Sequence, residues 1–366
     1  MTNLRLACAG TGIVIALLAG LAPAAQATKG IWISRAEIMA LPMSGSAWTA
    51  LKKQADQPAG LPVLSNQDQM NNVYVLAKAL VYVRTGIASY RDTVVKDCML
   101  AIGTETGGRT LALGRELAAY VIAADLVGLD PADDLKFRTW LRLTLTEVLD
   151  TKTLRSTHEE RPNNWGAHAG DSRAAVAAYL GDSVELARCA KVFKGWLGDR
   201  ASYAGFSFGD LSWQADSTHP VGVNPKGGVK NGESIDGAIP DDMRRGCAFK
   251  FPPCPTNYPW GALEGAVGQA EILYRQGYDT WNWQDQAMKR AVQFLYNLNL
   301  RYPSDGWWAH GDDEWMVWVI NHRYGTRFPA VTPAHPGKNL AWTDWTHAGV
   351  AAPRDTIPPA AITTLK

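Results

Sequence analysis

The chain has 366 residues, a length that allows one large domain or two of ordinary size. Hydrophobic residues make up 46% of the chain and charged residues 19%, which excludes a disordered or collagen-like protein. A formal net charge of +1 leaves no excess of positive charge to attract nucleic acid or an anionic membrane surface. The 15 tryptophans require a place either in the core or in ligand contacts.

Residues 1–27 predict a cleaved secretory signal peptide. Arg5 is followed by an apolar run over residues 12–21 and by a small-residue cleavage site at 25–27. The later sequence contains no run that is long and apolar enough to span a bilayer. We therefore expect a mature chain of residues 28–366 that is periplasmic or secreted and has no membrane attachment.

Cysteine spacing agrees with export. The predicted mature chain contains four cysteines, an even number. Cys247 and Cys254 flank six residues, and in an oxidising compartment this spacing predicts a disulfide. Whether Cys98 and Cys189 also pair is left open.

Hydrophobic residues recur mainly at helical spacing along the mature chain. The segments with this pattern are 66–84, 109–126, 134–149, 164–180, 183–197, 260–276 and 283–300. Most of them are separated by short turns rich in Gly, Pro, Asp or Asn, which is typical of antiparallel helix pairs. The pattern predicts a single all-α domain, an (α/α) toroid or barrel of helical hairpins with long loops at one rim.

Two segments interrupt the helical pattern. Residues 201–257 are rich in Gly, Pro, Asp and Asn, and so long a loop within a domain is usually functional or disordered. We expect this loop to carry substrate selectivity. Residues 330–366 predict an extended C-terminal tail wrapped on the body of the domain.

A first polar motif lies where a loop enters a predicted helix. Asn163, Asn164, Trp165 and His168 belong to the run RPNNWGAH, and Asn164 and His168, four residues apart, share one helix face. Both side chains can donate hydrogen bonds, and an imidazole exchanges protons near neutral pH. The alternative interpretation is that Asn163 caps the helix and His168 is a core histidine.

A second motif comprises adjacent arginines and a tyrosine at a helix entrance. Arg244 and Arg245 follow two aspartates and precede the predicted disulfide loop, and Tyr258 opens an apolar helix. A guanidinium has a planar, two-pronged donor geometry that suits a carboxylate. A surface ion-pair cluster is the alternative interpretation of the same arginines.

Together the two motifs resemble the alginate-lyase superfamily of α/α-toroid polysaccharide lyases, including polysaccharide lyase families 5 and 38. The resemblance implies that Asn164, His168 and Arg245 surround the substrate carboxylate. It also implies that Tyr258 acts as both base and acid. In family 5 the Asn-Asn-His run is contiguous, whereas here residues 165–167 intervene.

The implied reaction is metal-independent syn β-elimination in a β-1,4-linked uronan, polymannuronate (alginate) or glucuronan, which yields 4,5-unsaturated uronates. Removal of the C5 proton places negative charge beside a carboxylate, so donors arranged in advance are the main requirement. We expect no metal, no other cofactor and a monomeric protein acting on an acidic polysaccharide. The residues expected to contact substrate besides the catalytic four are Asn163, Trp165, Arg244, Trp260, Trp307 and Trp308.

Two alternatives belong to other functional classes. A helical glycoside hydrolase needs two carboxylates across the scissile bond, and Asp241, Asp242, Asp312, Asp313 and Glu314 are available for this. A non-catalytic periplasmic polysaccharide-binding protein could use the same aromatic rings and arginines.

Overall fold

The computed structural model of the chain describes residues 29–349, so the predicted signal peptide lies outside the described residues. This part of the chain is mainly α-helical, which confirms the predicted fold class. The helices are α1 (Arg35–Ala40), α2 (Gly45–Ala55), α3 (Asn71–Thr85), α4 (Ala88–Ala101), α5 (Thr110–Val127), α6 (Pro131–Thr144), α7 (Leu154–Glu160), α8 (Asn164–Leu180), α9 (Ser183–Trp196), α10 (Pro240–Met243), α11 (Tyr258–Arg275), α12 (Trp283–Arg301), α13 (Glu314–Tyr324) and α14 (Thr343–Thr346). A 3-10 turn at Gly311–Asp313 directly precedes α13.

Each of the seven predicted helices is present, with small shifts at the ends. The first of them begins at Asn71 rather than at residue 66, and α11 begins two residues early, at Tyr258. Helices α3 and α8 end at Gly86 and Gly181, whose φ angles of 74° and 68° lie in the left-handed region. Glycine adopts this conformation without steric cost, so these ends were readable from the sequence.

The order of helix contacts follows a closed path. Helix α3 packs against α5, α5 against α8, and α8 against α11; α11 then contacts α13, which contacts α14, and α14 contacts α2, which returns to α3. Helices α4, α7 and α9 pack against members of this series. This order is consistent with the predicted toroid, and the buried residues from Ile31 to Trp345 form one continuous core.

The backbones of α5, α8 and α11 approach each other at glycines. A Cβ atom added to Gly114 of α5 would lie 2.9 Å from the backbone N of Ala169 in α8. A Cβ atom added to Gly265 of α11 would lie 2.3 Å from the carbonyl carbon of Ala167. Side chains at these two positions would push the helices apart. Because both positions are glycines, the helices lie close together, and so do the polar residues next to the glycines.

The long loop over residues 201–257 is tied to the domain by buried side chains. Trp213, Val223 and Ile235 are fully buried. The segment also contains a hairpin, with β1 (Val229–Lys230) antiparallel to β2 (Glu233–Ser234). An Asn-Gly pair with positive φ at both residues joins the strands, which is the preferred two-residue hairpin turn.

The C-terminal segment wraps on the domain over the part that the structure describes. Trp342 donates a hydrogen bond from Nε1 to the carbonyl of Val73 at 2.7 Å, and Trp345 donates to the carbonyl of Pro42 at 2.8 Å. Both contacts join the end of the described chain to N-terminal residues. The remainder of the predicted tail lies outside residues 29–349.

The structure contains the predicted disulfide between Cys247 and Cys254. Cys98 and Cys189 are free and buried, so the second pairing left open above is not formed. Between residues 29 and 349, no helix has the length and apolar character needed to cross a membrane.

Candidate active site

The start of α8 is held by the two aspartates of α10. Asn163 caps the helix by accepting from the Trp165 backbone N at 3.2 Å, and its Nδ2 donates to Asp241 at 3.0 Å. The backbone N of Asn164 donates to Asp242 at 3.2 Å. Asn163 is thus the helix cap and Asn164 the residue whose side chain remains for other contacts.

The cap geometry directs Asn164 into a polar cavity of about 220 Å³. Its side-chain Oδ1 is buried and has no hydrogen-bond partner among residues 29–349. The cavity is lined by side chains from α5, α8, α11 and the C-terminal part of the chain: Arg115, Asn164, Asn257, Tyr258, Gly261, Glu264, Asp312, Asp313 and Lys338. The structure therefore brings Asn164 and Tyr258 together, two residues 94 positions apart that the resemblance had linked.

Tyr258 opens α11 at the cavity mouth with 39% of its surface exposed. The guanidinium carbon of Arg245 lies 3.8 Å from the centroid of its ring, a cation–π contact that fixes one face of the phenol. Arg244 instead forms a two-pronged pair with Asp241, at 2.7 Å and 3.1 Å. Arg245 is the arginine beside the tyrosine, and Arg244 holds α10.

Arg115 is the arginine that lines the cavity with Asn164. Its Nε donates to Nε2 of His168 at 3.2 Å, and its Nη2 lies 3.6 Å from Oε2 of Glu264. A guanidinium can only donate, so Nε2 of His168 is an acceptor and the proton of the neutral ring is on Nδ1. Nδ2 of the Asn339 amide lies 2.9 Å from Nδ1, and a ring protonated on Nδ1 pairs with this amide when the amide is turned so that its oxygen faces the ring.

His168 lies behind this arginine rather than in the cavity. The side chain is fully buried, and both ring nitrogens are engaged by Arg115 and Asn339. Burial, together with the nearby cations of Arg115 and Lys338, holds the pKa of His168 well below its usual range. The imidazole of His168 thus contacts Arg115 and is not among the residues that line the cavity.

Two buried carboxyl groups, those of Glu264 and Asp313, also line the cavity. Burial raises the pKa of Glu264 to about 8, with Asp313 adding to the rise and Arg115 opposing it. Burial also raises the pKa of Asp313 to about 7, although Asn257 donates a hydrogen bond to it at 2.9 Å. Lys338 lies 3.2 Å from Asp312 at the same end. The site thus combines cations with carboxyl groups that bind protons near neutral pH.

The structure corrects several candidate substrate contacts. Trp260 and Trp307 are 1% and 2% exposed, and Trp260 donates a hydrogen bond to the Trp307 carbonyl at 2.9 Å. Neither ring offers a face to a sugar, because Trp260 lies on the buried side of α11 and Trp307, in the segment between α12 and the 3-10 turn, is packed into the same core. Trp308 is half-buried against Trp260 and Tyr296, and Trp165 is half-buried beside Arg161, so neither lines the cavity.

The carboxylates considered for a hydrolase are divided between two places. Asp241 and Asp242 are buried under α8 and serve as anchors for Asn163, Asn164 and Arg244. Burial, with the adjacent Asp241 adding, raises the pKa of Asp242 well above its usual range. Asp312 and Asp313 do line the cavity.

In the part of the chain that the structure describes, no group of three or more His, Cys, Asp and Glu side chains is placed to hold a metal ion.

Sequence reasoning missed the contributions of Glu264, Asn257, Lys338 and Asn339. Arg115 and Glu264 each adjoin a glycine at which the helices touch, Gly114 and Gly265. A charged residue next to glycine within an apolar helix was the available signal. For the C-terminal residues the sequence carried no such signal.

A helical fold with a phenol, an amide and a guanidinium around one polar cavity is the arrangement expected of a helical polysaccharide lyase. Residues 95–206 match the family model described as alginate lyase, which confirms the predicted resemblance and supports polysaccharide lyase activity. The matched segment contains Arg115, Asn164 and His168 and ends before Arg245 and Tyr258. A search of the curated proteins finds no match.

Proposed function

We propose that the protein cleaves β-1,4-linked uronans by syn β-elimination, with Tyr258 as the proton-transferring residue. The observation that carries this proposal is the meeting of Tyr258, Asn164 and Arg115 around one cavity. A phenol able to move a proton thereby stands next to two groups that donate hydrogen bonds to a carboxylate. The match of residues 95–206 to alginate lyases supports the same reaction class.

Arg115 presents a planar fork, and Asn164 adds an amide. Both are held before substrate arrives, Arg115 by His168 and Asn164 by the Asp242 contact to its backbone. Donors fixed in advance stabilise the charge that develops on the carboxylate oxygens without reorganising in the transition state. His168 therefore acts by positioning Arg115.

The ionised oxygen of Tyr258 takes the C5 proton, and the C5–H electron pair forms the C4=C5 double bond. The C4–O4 bond then breaks, and its electron pair leaves with O4, which receives the proton from Tyr258. One residue can serve both steps when H5 and O4 lie on the same side of the ring. This holds in β-linked mannuronate and glucuronate, which differ only at C2, whereas guluronate is inverted at C5.

The surroundings of the cavity suit an acidic polymer. Arg245 beside the Tyr258 ring adds positive charge near the opening, and Lys338, paired with Asp312, adds a further cation to the lining. We propose that residues 201–257, which carry the disulfide loop next to Tyr258, select among uronans.

With the Cys247–Cys254 disulfide and the predicted signal peptide, the proposal places the enzyme in the periplasm or outside the cell. It is proposed to act as a monomer.

The test is to incubate residues 28–366 with polymannuronate, glucuronan and polyguluronate and to follow ultraviolet absorbance. A lyase produces the 4,5-unsaturated chromophore, and we expect it from polymannuronate or glucuronan. Reducing ends without the chromophore would identify a hydrolase using the carboxyl wall. Saturable binding without either product would identify a polysaccharide-binding protein.

A further inference from the structure

Glu264 lines the cavity, and no step of the proposed reaction uses it. The side chain is 2% exposed, and its Oε2 has no hydrogen-bond partner within the described chain. Oε2 lies 3.6 Å from Nη2 of Arg115 and 3.5 Å from Nε2 of His168. A buried carboxyl oxygen that has an ion-pair contact with Arg115 but no hydrogen bond is costly to folding, so its retention at a cavity points to a ligand.

The path from Tyr258 to Glu264 is open because of Gly261. The three residues are spaced by three along α11 and line the cavity together. A Cβ atom added at Gly261 would meet only the Asn164 side chain, at 3.8 and 3.9 Å. A group held between Asn164 and Tyr258 can therefore also touch Glu264.

The ionisable groups around Glu264 come from four parts of the chain. Arg115 of α5 and Lys338 of the C-terminal segment favour its ionised form, while Asp312 and Asp313 of the 3-10 turn disfavour it. His168 of α8 is neutral, because burial and the nearby cations hold its pKa well below its usual range. Burial is the largest contribution and raises the pKa of Glu264 to about 8. A proton on Glu264 would supply an O–H donor to the cavity.

We propose that Glu264 is a catalytic residue of this site, a protonated carboxylic acid that donates a hydrogen bond to the carboxylate of the bound uronate. The assignment rests on the proposed lyase function and adds a third donor to Arg115 and Asn164. As the C5 proton leaves, negative charge grows on the carboxylate oxygens, and a donor in a dry site strengthens as that charge grows. A carboxyl group kept neutral by an apolar site is a known way to provide such a donor.

Proton uptake follows directly from this arrangement. A substrate carboxylate next to Glu264 disfavours a second negative charge there, so ligand and proton bind together. The free protein at about pH 8.5 has lost most of this proton, since the pKa of Glu264 is about 8. Binding of a uronate should then return a proton to Glu264, with an average uptake of more than about half a proton per protein molecule.

The kinetic test compares Glu264→Gln, which keeps a neutral donor, with Glu264→Ala, which removes it. We expect Glu264→Gln to lower kcat/KM less than about tenfold at pH 7 and to abolish the decline of activity above about pH 8. Glu264→Ala should lower kcat/KM by about 10²–10³-fold, the usual effect of losing one such hydrogen-bond donor. Glu233→Gln, at an exposed ion pair with Arg301, is the matched control and should leave the pH profile of the wild type unchanged.

Equal loss in Glu264→Gln and Glu264→Ala would overturn the assignment, because it would show that the group works as an anion. A persisting alkaline decline in Glu264→Gln would do the same. Failure of the lyase function is a different result, namely a wild-type protein that forms no chromophore from any uronan.

Calorimetry keeps the proposal testable without any change at Glu264. In Tyr258→Phe, a saturated uronate trisaccharide is titrated at about pH 8.5 in two buffers of different ionisation enthalpy. The proposal predicts uptake of more than about half a proton. Binding without proton uptake would overturn it.

Discussion

Two arginines of similar appearance in the sequence have different tasks. Arg244 forms a two-pronged pair with Asp241, whereas the guanidinium carbon of Arg245 lies 3.8 Å from the centroid of the Tyr258 ring. The guanidinium that lines the cavity together with Asn164 belongs to Arg115, which lies more than 100 positions before Arg244 and Arg245 in the chain. Packing between helices, and not proximity along the chain, thus places Arg115 at the cavity with Asn164.

Tyr258→Phe tests the proton-transfer role. The change keeps the ring and its contact with Arg245 and deletes the hydroxyl. Turnover on the best uronan should fall by at least about 10²–10⁴-fold, the usual contribution of general acid–base catalysis, while oligosaccharide binding persists. Tyr302→Phe, at a half-buried site beside Arg301, is the control. A Tyr258→Phe enzyme with nearly normal turnover would contradict the mechanism.

Arg115→Lys tests which cation binds the carboxylate. An ammonium cannot reproduce the planar fork or hold His168 through Nε, so we expect kcat/KM to fall about 10²-fold. Arg244→Lys keeps a charge next to Asp241 and should mainly lower the melting temperature. Steady-state kinetics and thermal unfolding of both variants separate the two outcomes. A larger kinetic loss in Arg244→Lys would return the carboxylate to the α10 arginines.

At the level of elements, the disulfide loop precedes the cavity residues Asn257 and Tyr258 in the chain, and the C-terminal segment contributes Lys338 to the cavity lining. The loop between Cys247 and Cys254 packs on Trp213 through Phe249, with ring centroids 4.9 Å apart. In the C-terminal segment, Asn339 has a left-handed φ of 58° and its side chain meets His168. A strained backbone held in place next to a site is typical of functional segments.

Replacing Cys247 and Cys254 together by Ser should lower activity more than stability. The disulfide closes only a seven-residue span, so its entropic stabilisation is modest, and the contact between Phe249 and Trp213 remains. We expect a several-fold loss of kcat/KM with a shift of only a few degrees in melting temperature. Unchanged kinetics in the double Ser variant would show that the disulfide does not hold Arg245 and Tyr258 in place.

At the scale of the whole molecule, a series of buried ionisable groups runs through the centre of the helices. Glu264 and Asp313 have raised pKa values, and burial also raises the pKa of Glu116 and of Asp171 well above the usual range. At these four carboxyl groups the folded protein therefore binds more protons than the unfolded chain at pH values between their unfolded pKa of about 4 and their raised folded pKa values. Stability from these carboxyl groups is present below about pH 4 and is lost as the pH rises through their folded pKa values.

The buried histidines act in the opposite direction. Burial holds the pKa of His158, His168 and His347 well below its usual range, so the unfolded chain gains protons first as the pH falls below about 6.5. Their contribution to stability is therefore present at neutral pH and is lost on acidification.

The melting temperature should decline between about pH 6 and 9, and Glu264→Gln combined with Asp313→Asn should remove part of that decline. Each proton that only the folded state binds contributes about 1.4 kcal/mol per pH unit to the slope. Thermal unfolding at a series of pH values measures this effect, with Glu233→Gln as the exposed control. An unchanged slope in the double variant would show that these two carboxyl groups are ionised in the folded protein.

The sequence by itself determined the helices, the disulfide, the resemblance to alginate lyases and the pair of motifs around Asn164 and Tyr258. Apolar periodicity and glycine ends are local properties, so the chain reveals them without a fold. Only the tertiary structure decided that Arg115, Glu264 and Lys338 complete the cavity and that Trp260 and Trp307 do not. Periodicity shows which face of a helix is apolar, but the register between helices depends on contacts between residues far apart in the chain.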